Sequence, residues 1–160
     1  MNKHLYILFF LFLFSSCNND VKLIGDEHSI ETQILRKSYE NKIKGEWIYK
    51  TDSSLSYIEQ KYEFKENGIL RGHILLMSRD SVFIKGKPEL TDWKKIIDQD
   101  FSGHWSLLYN SSKKKNVLFF DARAQFGNTC YVDLFNVNDS ILDIKSPLLI
   151  SQRIKMHRKK

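Results

Sequence analysis

A period-two alternation of apolar and polar residues constrains the fold of this chain more than any other feature. In the stretch YIEQKYEFKENG, Ile58, Tyr62 and Phe64 share one face of an extended chain, while glutamate and lysine side chains occupy the other. Successive side chains of a β-strand point to opposite faces of the sheet, so this stretch predicts a strand with one buried face. Asn67 and Gly68 follow and predict a hairpin turn, because both residues adopt a positive φ readily.

The same alternation recurs along the chain from residue 45 onward. The stretch FSGHWSLLY has an apolar face formed by Phe101, Gly103, Trp105, Leu107 and Tyr109. CYVDLFNVNDSILDIKS predicts a strand, a turn at NDS and a second strand, and SQRIKMHRK predicts a last strand with one face formed by Ile154, Met156 and Arg158. With the runs ILRGHILLMS, SVFIKG and VLFFDA, about eight or nine short strands are expected. Such spacing predicts a mainly β fold, an antiparallel barrel or sandwich, and the lack of strand–helix alternation argues against a parallel α/β fold.

Two segments have apolar residues at helical spacing. Residues 29–43, SIETQILRKSYENKI, predict a short helix in which Ser29 caps the first turn and Glu31 favours the positive end of the helix dipole. The apolar face of this helix is expected to consist of Ile30, Ile34, Leu35, Tyr39 and Ile43. In PELTDWKKIIDQD, one or two further helical turns are indicated by the spacing of Trp93, Ile96 and Ile97.

The first 16 residues, MNKHLYILFFLFLFSS, have the three parts of a secretory signal peptide. Lys3 supplies a positive charge, residues 5–14 form an unbroken apolar run, and two serines follow. A helix needs about 20 apolar residues to cross a bilayer, so this run is too short for a permanent anchor. We therefore expect residues 1–16 to be a signal peptide, residues 17–28 a tether and residues 29–160 a single domain.

The segment FSSC at residues 14–17 resembles the lipobox of bacterial lipoproteins, although Phe14 stands where that motif usually has an aliphatic residue. The resemblance implies cleavage before Cys17, whose sulfur then carries diacylglycerol and whose amine carries an acyl chain such as palmitate. Several acyl chains anchor a protein stably, because each buried CH₂ contributes about 0.8 kcal/mol. An ordinary signal peptide with a chance cysteine near the cut is the alternative. The Phe-rich leader and the Lys- and Asn-rich body resemble lipoproteins of Bacteroidetes.

The lipoprotein resemblance also implies a location in the cell envelope. An aspartate directly after the lipidated cysteine resembles the signal that retains enterobacterial lipoproteins in the inner membrane, and here Asn18 follows Cys17. We therefore expect an outer-membrane lipoprotein. Whether its domain faces the periplasm or the cell surface is left open.

The net charge of +6 is concentrated near the C-terminus, in the cluster Arg153, Lys155, Arg158, Lys159 and Lys160. A basic surface can bind nucleic acid or an anionic membrane. No nucleic-acid-binding motif accompanies this cluster, so we expect a solvated tail and no nucleic-acid partner.

Four landmarks in a fixed order make residues 43–159 resemble a lipocalin-like domain. KIKGEWIYK contains Gly45-x-Trp47, YEFKENGIL is an aromatic strand with a glycine turn, FSGHWSLL contains a second Gly-x-Trp, and VNDSILDI resembles a late hairpin. The resemblance implies an antiparallel β-barrel of about eight strands preceded by a short helix. It also implies that Trp47 closes one end of the barrel under Arg158, and that Gly45 lets the preceding segment pass close by. Residues 79–100 are an insertion relative to a minimal lipocalin.

A small barrel of about eight strands can be filled by side chains or can hold one small ligand. The inward aromatic residues that would line a cavity are Tyr49, Tyr62, Phe64, Trp105 and Tyr109. Such a cavity implies a small apolar or amphipathic ligand. If these residues fill the core instead, the barrel is expected to contact an envelope or host protein through its loops or edges.

Signatures of catalysis are absent from the sequence. G-x-S-x-G, the P-loop and the dinucleotide-binding motif do not occur, and the histidines lack metal-ligand spacing. Cys130 begins an apolar strand, so we expect a small buried residue there and not a nucleophile. These observations predict no enzymatic activity, no metal site and no cofactor.

Overall fold

The structure, a computed structural model, describes residues 27–121, 130–147 and 152–159. Within these ranges a helix, α1, spans Ile30–Ile43. The strands are β1 (Gly45–Asp52), β2 (Ser56–Phe64), β3 (Ile69–Ser78), β4 (Ser81–Ile84), β5 (Lys87–Leu90), β6 (Lys94–Asn110), β7 (Lys115–Asp121), β8 (Cys130–Val137), β9 (Ile141–Lys145) and β10 (Arg153–Arg158). None of the helices in these ranges is long and apolar enough to cross a membrane. The predicted signal peptide and Cys17 lie outside the described residues.

Eight strands form a closed antiparallel barrel in the order β1-β10-β9-β8-β7-β6-β3-β2. Barrel neighbours follow one another in the chain, and β10 returns to pair with β1. Between β3 and β6, the chain forms a separate two-stranded sheet of β4 and β5 inside the insertion at residues 79–100. The predicted mainly β fold, an antiparallel barrel of about eight strands with a short N-terminal helix, is confirmed.

The two ends of the barrel differ. At one, the closed end, β1 follows α1 and tight connections join β2 to β3, β6 to β7 and β8 to β9. At the other, the mouth, lie the connection from β1 to β2 and the β4–β5 hairpin. The turn between β2 and β3 contains Asn67 with φ 59° and Gly68 with φ 72°, as the sequence predicts.

The inward residues of β1, β2, β3 and β6 form four rows that run from the closed end to the mouth. The hydrogen-bond register defines them as row one (Gly45, Phe64, Leu70, Gly103), row two (Trp47, Tyr62, Gly72, Phe101), row three (Tyr49, Gln60, Ile74, Gln99) and row four (Thr51, Ile58, Leu76, Ile97). The strands opposite contribute buried side chains, among them Leu118, Phe120, Val132, Ile144, Ile154 and Met156. Cys130 is buried with them, as expected.

Helix α1 begins where the sequence predicts. The Ser29 hydroxyl accepts a hydrogen bond from the backbone N–H of Thr32 at 3.1 Å, and this bond caps the first turn. Such a cap satisfies one of the N–H groups that have no partner within the helix.

The buried face of α1 differs from the predicted one. Its buried residues are Thr32, Leu35 and Ile43, whereas Ile30 and Ile34 are 72% and 60% exposed. The prediction is therefore wrong at Ile30 and Ile34, because hydrophobicity alone does not reveal that a hydroxyl is needed on the buried face.

That hydroxyl serves the uncovered edge of β6. β6 pairs with β3 only as far as His104, so the residues after it have one backbone edge without a strand partner. The N–H of Tyr109 donates to Thr32 Oγ1 at 2.9 Å, and Arg36 Nε donates to the carbonyl oxygen of Leu107 at 3.1 Å. Helix α1 therefore covers this edge, and Thr32 is buried because its oxygen accepts a backbone bond.

The segment PELTDWKKIIDQD, where helical turns were predicted, is mostly extended and contributes to β5 and β6. The β3–β6 register shifts between Leu76 and Met77, which leaves Ile96 as an additional residue without a counterpart on β3. This β-bulge places two apolar residues side by side, Ile96 exposed and Ile97 facing inward. The helical prediction is wrong because a bulge interrupts the alternation of a strand.

Candidate functional site

Trp47 and Arg158 meet at the closed end, where β1 pairs with β10. The guanidinium carbon of Arg158 lies 4.3 Å from the centroid of the Trp47 ring. The indole Nε1 donates to the carbonyl oxygen of Ile43 at 2.6 Å, which ties the end of α1 to the barrel. The contact that the resemblance implies between these two side chains is therefore present, and such a cation–π contact contributes about 0.5–2 kcal/mol.

Arg158 also closes this end by hydrogen bonds. Its Nη1 and Nη2 donate to the carbonyl oxygens of Lys44 and Lys42, and its Nε donates to that of Asp139 at 2.7 Å. Gly45 has φ +121°, and a Cβ atom there would lie 2.5 Å from Nη1 of Arg158. The closed end therefore requires a residue without a side chain at Gly45, and this group of residues has a structural role.

Three of the five residues predicted to line a cavity are packed against one another. Tyr62, Phe64 and Trp105 are all buried, and the ring centroid of Phe64 lies 5.4 Å from that of Trp105 and 6.2 Å from that of Tyr62. Phe101 and Phe120 complete this aromatic cluster, with centroids 5.5 and 5.7 Å from that of Tyr62. The aromatic cluster occupies rows one and two, so the lower half of the barrel is filled by side chains.

The remaining two predicted residues lie at opposite levels of the barrel. Tyr109 is half-buried near the closed end, where its backbone N–H contacts α1. Tyr49 is half-buried in row three. Of the predicted set, Tyr49 alone lies on the mouth side of the aromatic cluster.

Row three contains a buried polar side chain. Gln60 is 0% exposed and lies between Tyr49 on β1 and Ile74 on β3. Its Oε1 accepts a hydrogen bond from the Tyr62 hydroxyl at 3.1 Å. Its Nε2 is buried and has no hydrogen-bond partner in the described part of the chain. A buried donor without a partner costs about 1–3 kcal/mol, so this N–H group is a candidate contact for an acceptor on a ligand.

Gln60 is not among the site residues predicted from the sequence, although the sequence contains a signal for it. The alternation that predicts β2 places residue 60 on the same face as Ile58, Tyr62 and Phe64. A polar side chain on an otherwise apolar inward face is a site candidate, because it must find a partner inside the barrel.

Above Gln60, the mouth has an apolar wall. Ile58, Leu76 and Ile97 in row four are half-buried. β1 pairs with β10 at two positions, the second between Ile48 and His157, so in the described structure the rest of β1 from Tyr49 onward pairs with β2 alone. Among the described residues, the pairing of β1 with β10 therefore ends before Tyr49.

The outer wall of β2 carries an ionic cluster that is satisfied internally. The Glu59 carboxylate contacts Lys50 Nζ at 2.6 Å, the Tyr57 hydroxyl at 2.9 Å, and Lys61 Nζ. Burial raises the pKa of Glu59, but the hydrogen bonds from Lys50, Lys61 and Tyr57 outweigh that effect and lower this pKa to about 2. The bond to Glu59 raises the pKa of Tyr57 in turn. The cluster binds its own members and stabilises the sheet.

A surface groove of about 840 Å³ lies at the closed end beside Arg158. Four of its charged residues form two ion pairs, in which Lys159 contacts Glu46 at 2.6 Å and Lys65 contacts Glu63 at 3.3 Å. Pairs of opposite sign leave little net field to attract a charged ligand.

His73 lies on the outer wall between two carboxylates. Its Nδ1 is 2.8 Å from Asp100, and its Nε2 is 3.4 Å from Asp98. Across residues 27–121, 130–147 and 152–159, no group of three or more His, Cys, Asp or Glu side chains could hold a metal ion.

Comparisons with protein-family models, with curated proteins and with solved structures find no match to this chain. Its function is therefore inferred from the geometry of the barrel, whose filled lower half supports a polar donor and a half-buried apolar wall.

Proposed function

We propose that this protein is a membrane-anchored lipoprotein whose lipocalin-like barrel binds one small amphipathic ligand at its mouth. The observation that carries this proposal is the buried Nε2 donor of Gln60 beneath the apolar wall. The donor would hold the polar group of the ligand, and Tyr49, Ile58 and Leu76 would contact its apolar part. Ligand sites commonly combine an apolar lining with a few placed polar groups.

The proposed site is confined to the mouth. The aromatic cluster forms its floor, so Tyr62 contributes through its hydrogen bond to Gln60 and not as an open wall. Burial raises the pKa of Tyr62, so its hydroxyl keeps its proton and remains a donor. Since neither an amide nor a protonated phenol is a general base, we propose binding without catalysis.

The lipid anchor is proposed from the FSSC segment, with Cys17 as the first residue of the mature protein. Helix α1 lies at the closed end, so the chain enters the barrel there. A flexible tether of residues 17–28 reaches on the order of 20 Å. With this anchor in the outer membrane, the closed end would face the bilayer and the mouth would face the periplasm or the cell exterior.

Native mass spectrometry of the full chain, purified in detergent from its host membrane, tests ligand binding. We expect a small molecule bound to the wild type and lost from Gln60→Leu. Gln33→Leu is the matched control. Gln33 lies on the exposed surface of α1, so this substitution makes the same chemical change away from the mouth. A wild-type protein that never carries a small molecule would contradict ligand binding.

Membrane fractionation with labelled palmitate tests the anchor separately. Cys17→Ala should lose the label and leave the membrane fraction, whereas Cys130→Ala should keep both properties. Retention of Cys17→Ala in the membrane would refute lipidation at Cys17. Cys130 is disulfide-bonded in the structure. A thioether and a disulfide need the same sulfur, so a mature protein in which Cys17 forms a disulfide would refute lipidation too.

The β4–β5 hairpin supports a second candidate function, protein binding. Phe83 is 78% exposed and faces Pro88 across the hairpin, while Ser81 faces Leu90, so three apolar side chains share one face. Lys85 and Lys87 lie beside them at the turn. This surface matches an envelope or host protein with an apolar hollow and an acidic rim, since an exposed apolar patch often marks a protein contact.

Photo-crosslinking in the host, with a crosslinking amino acid at position 83 or at position 30, tests the second candidate. Ile30 is exposed to a similar degree at the closed end and serves as the control. A protein partner captured at position 83 would support it, provided that Lys87→Glu, which places a negative charge beside the acidic rim, abolishes the capture. Equal capture at both positions would contradict it.

A further inference from the structure

We propose that the buried end of the ligand is an uncharged hydrogen-bond acceptor, such as an alcohol, ester or amide oxygen, and not a carboxylate. This inference rests on the proposed ligand binding at the mouth and adds the chemical class of the ligand.

The polar group in row three presents a donor to the interior. The Tyr62 hydroxyl donates to Gln60 Oε1, which engages the acceptor of that amide and leaves the N–H group of Nε2 for another partner. An N–H donor binds an oxygen acceptor, and a primary amide carries two such hydrogens. The group that covers Gln60 is therefore an acceptor.

No cation of the described strands lies in the row of Gln60. Among inward-facing residues of the described strands, the charged ones are Arg158 and Lys94. Arg158 lies at the closed end beyond the Trp47 ring and bonds to three carbonyl oxygens. Lys94 pairs with Ser78, at the rim beyond row four. Neither side chain lies in the row of Gln60.

The charged side chains of the outer wall near Gln60 form ion pairs with one another. Glu59, Lys50 and Lys61 lie on the opposite face of β1 and β2 and are paired with one another. On the described strands, the inward neighbours of Gln60 are Tyr49 and Ile74, and the Tyr62 hydroxyl contacts its amide. A carboxylate buried against one amide donor without a cation is strongly disfavoured, whereas a neutral oxygen needs one hydrogen bond to offset its desolvation.

Three ligands with the same eight-carbon chain test this inference: octanol, octanamide and octanoate. Each is titrated into the full chain in detergent, with binding followed by ligand-observed NMR and micelle partitioning subtracted with detergent that contains no protein. At about pH 7 we expect octanol and octanamide to bind at least about tenfold more tightly than octanoate. At about pH 4, where octanoate is largely protonated, we expect the difference to shrink. Gln60→Leu should abolish the preference, and Gln33→Leu should preserve it.

The outcomes separate the two proposals. If none of the three ligands binds, ligand binding at the mouth is refuted and this inference with it. If octanoate binds at about pH 7 as tightly as octanol, the barrel is a binder but the inference is wrong. Weakening of that octanoate binding by Lys94→Gln would show that the carboxylate sits at the rim. An unchanged preference in Gln60→Leu would also overturn the inference, because the preference would then not depend on the Gln60 donor.

Discussion

At the scale of single residues, Gly45 and Arg158 depend on each other. Gly45 has φ +121°, a conformation that residues with a side chain rarely adopt, and the guanidinium of Arg158 occupies the space where a Cβ atom would lie. Arg158 in turn covers Trp47 and binds carbonyl oxygens at the end of α1. The closed end is therefore held by a planar cation that reaches both an aromatic face and several carbonyl groups, which suits arginine better than lysine.

Replacement of this arginine should be costly. We expect Arg158→Ala to lower the free energy of unfolding by about 1–3 kcal/mol, because it removes the ring contact and the hydrogen bonds together. Arg158→Lys should recover only part of the loss, since an ammonium group cannot reproduce the fork of donors. Urea denaturation followed by tryptophan fluorescence measures both changes. A change near zero in Arg158→Ala would mean that the side chain is solvated.

Glu59 should make stability depend on acid. Its pKa is lowered from 4.5 to about 2, so its contribution is complete above about pH 5 and is lost as the pH falls toward 2. We expect Glu59→Gln to lack this dependence and to be less stable than the wild type by roughly 1–3 kcal/mol near neutral pH. The control is Glu63→Gln, because Glu63 is more exposed and pairs with Lys65 at 3.3 Å. Parallel stability curves for wild type and Glu59→Gln between pH 2 and 6 would contradict the assignment.

At the scale of elements, α1 acts as a cover for a sheet edge. Tyr109 and Leu107 on β6 bond to Thr32 and Arg36 of the helix, so α1 supplies part of what a neighbouring strand would supply. The helix is therefore part of the barrel and not an independent appendage. Its amphipathic pattern is weak because a polar residue, Thr32, occupies one of its buried positions.

Removal of that hydroxyl tests this role of the helix. Thr32→Val keeps the shape of the side chain but leaves the Tyr109 N–H without an acceptor, so we expect a loss of about 1–3 kcal/mol in unfolding free energy. Ser38→Ala on the exposed side of the same helix should change stability by less than about 0.5 kcal/mol. Chemical denaturation compares the two variants. If they are equally stable, α1 does not protect the edge of β6.

At the scale of the whole molecule, the two ends of the barrel differ in the elements that they carry. Helix α1 and the Trp47–Arg158 contact occupy the closed end, while the β4–β5 hairpin lies at the mouth. An anchor at Cys17 would therefore orient the barrel with its mouth away from the bilayer. The same arrangement places the proposed ligand site and the exposed Phe83 on the side that meets other molecules.

Limited trypsin digestion of the anchored protein in vesicles tests this orientation. We expect the first cut after Lys85, in the hairpin turn, and slower cuts after Lys113 and Lys114, in the turn at the closed end. In detergent, where no bilayer covers the closed end, the two rates should become similar. Faster cutting at the closed end in vesicles would contradict the proposed orientation.

The sequence by itself determined the strands, their inward faces, the cap at Ser29 and the turn at Asn67. These features are local, because the period of side-chain direction and the φ preference of a turn residue depend only on neighbouring positions. The landmarks around Trp47 and Arg158 also predicted the contact at the closed end.

The tertiary structure decided what depends on residues distant in sequence. Thr32 is buried because it meets Tyr109, 77 residues away, and Ile96 is a bulge because β3 has no counterpart for it. Whether aromatic residues fill a barrel or line a cavity depends on how their rings meet across strands, and here they fill its lower half. The unpartnered N–H group of Gln60 also depends on the tertiary structure, because a hydrogen bond forms only where folding brings a donor and an acceptor together.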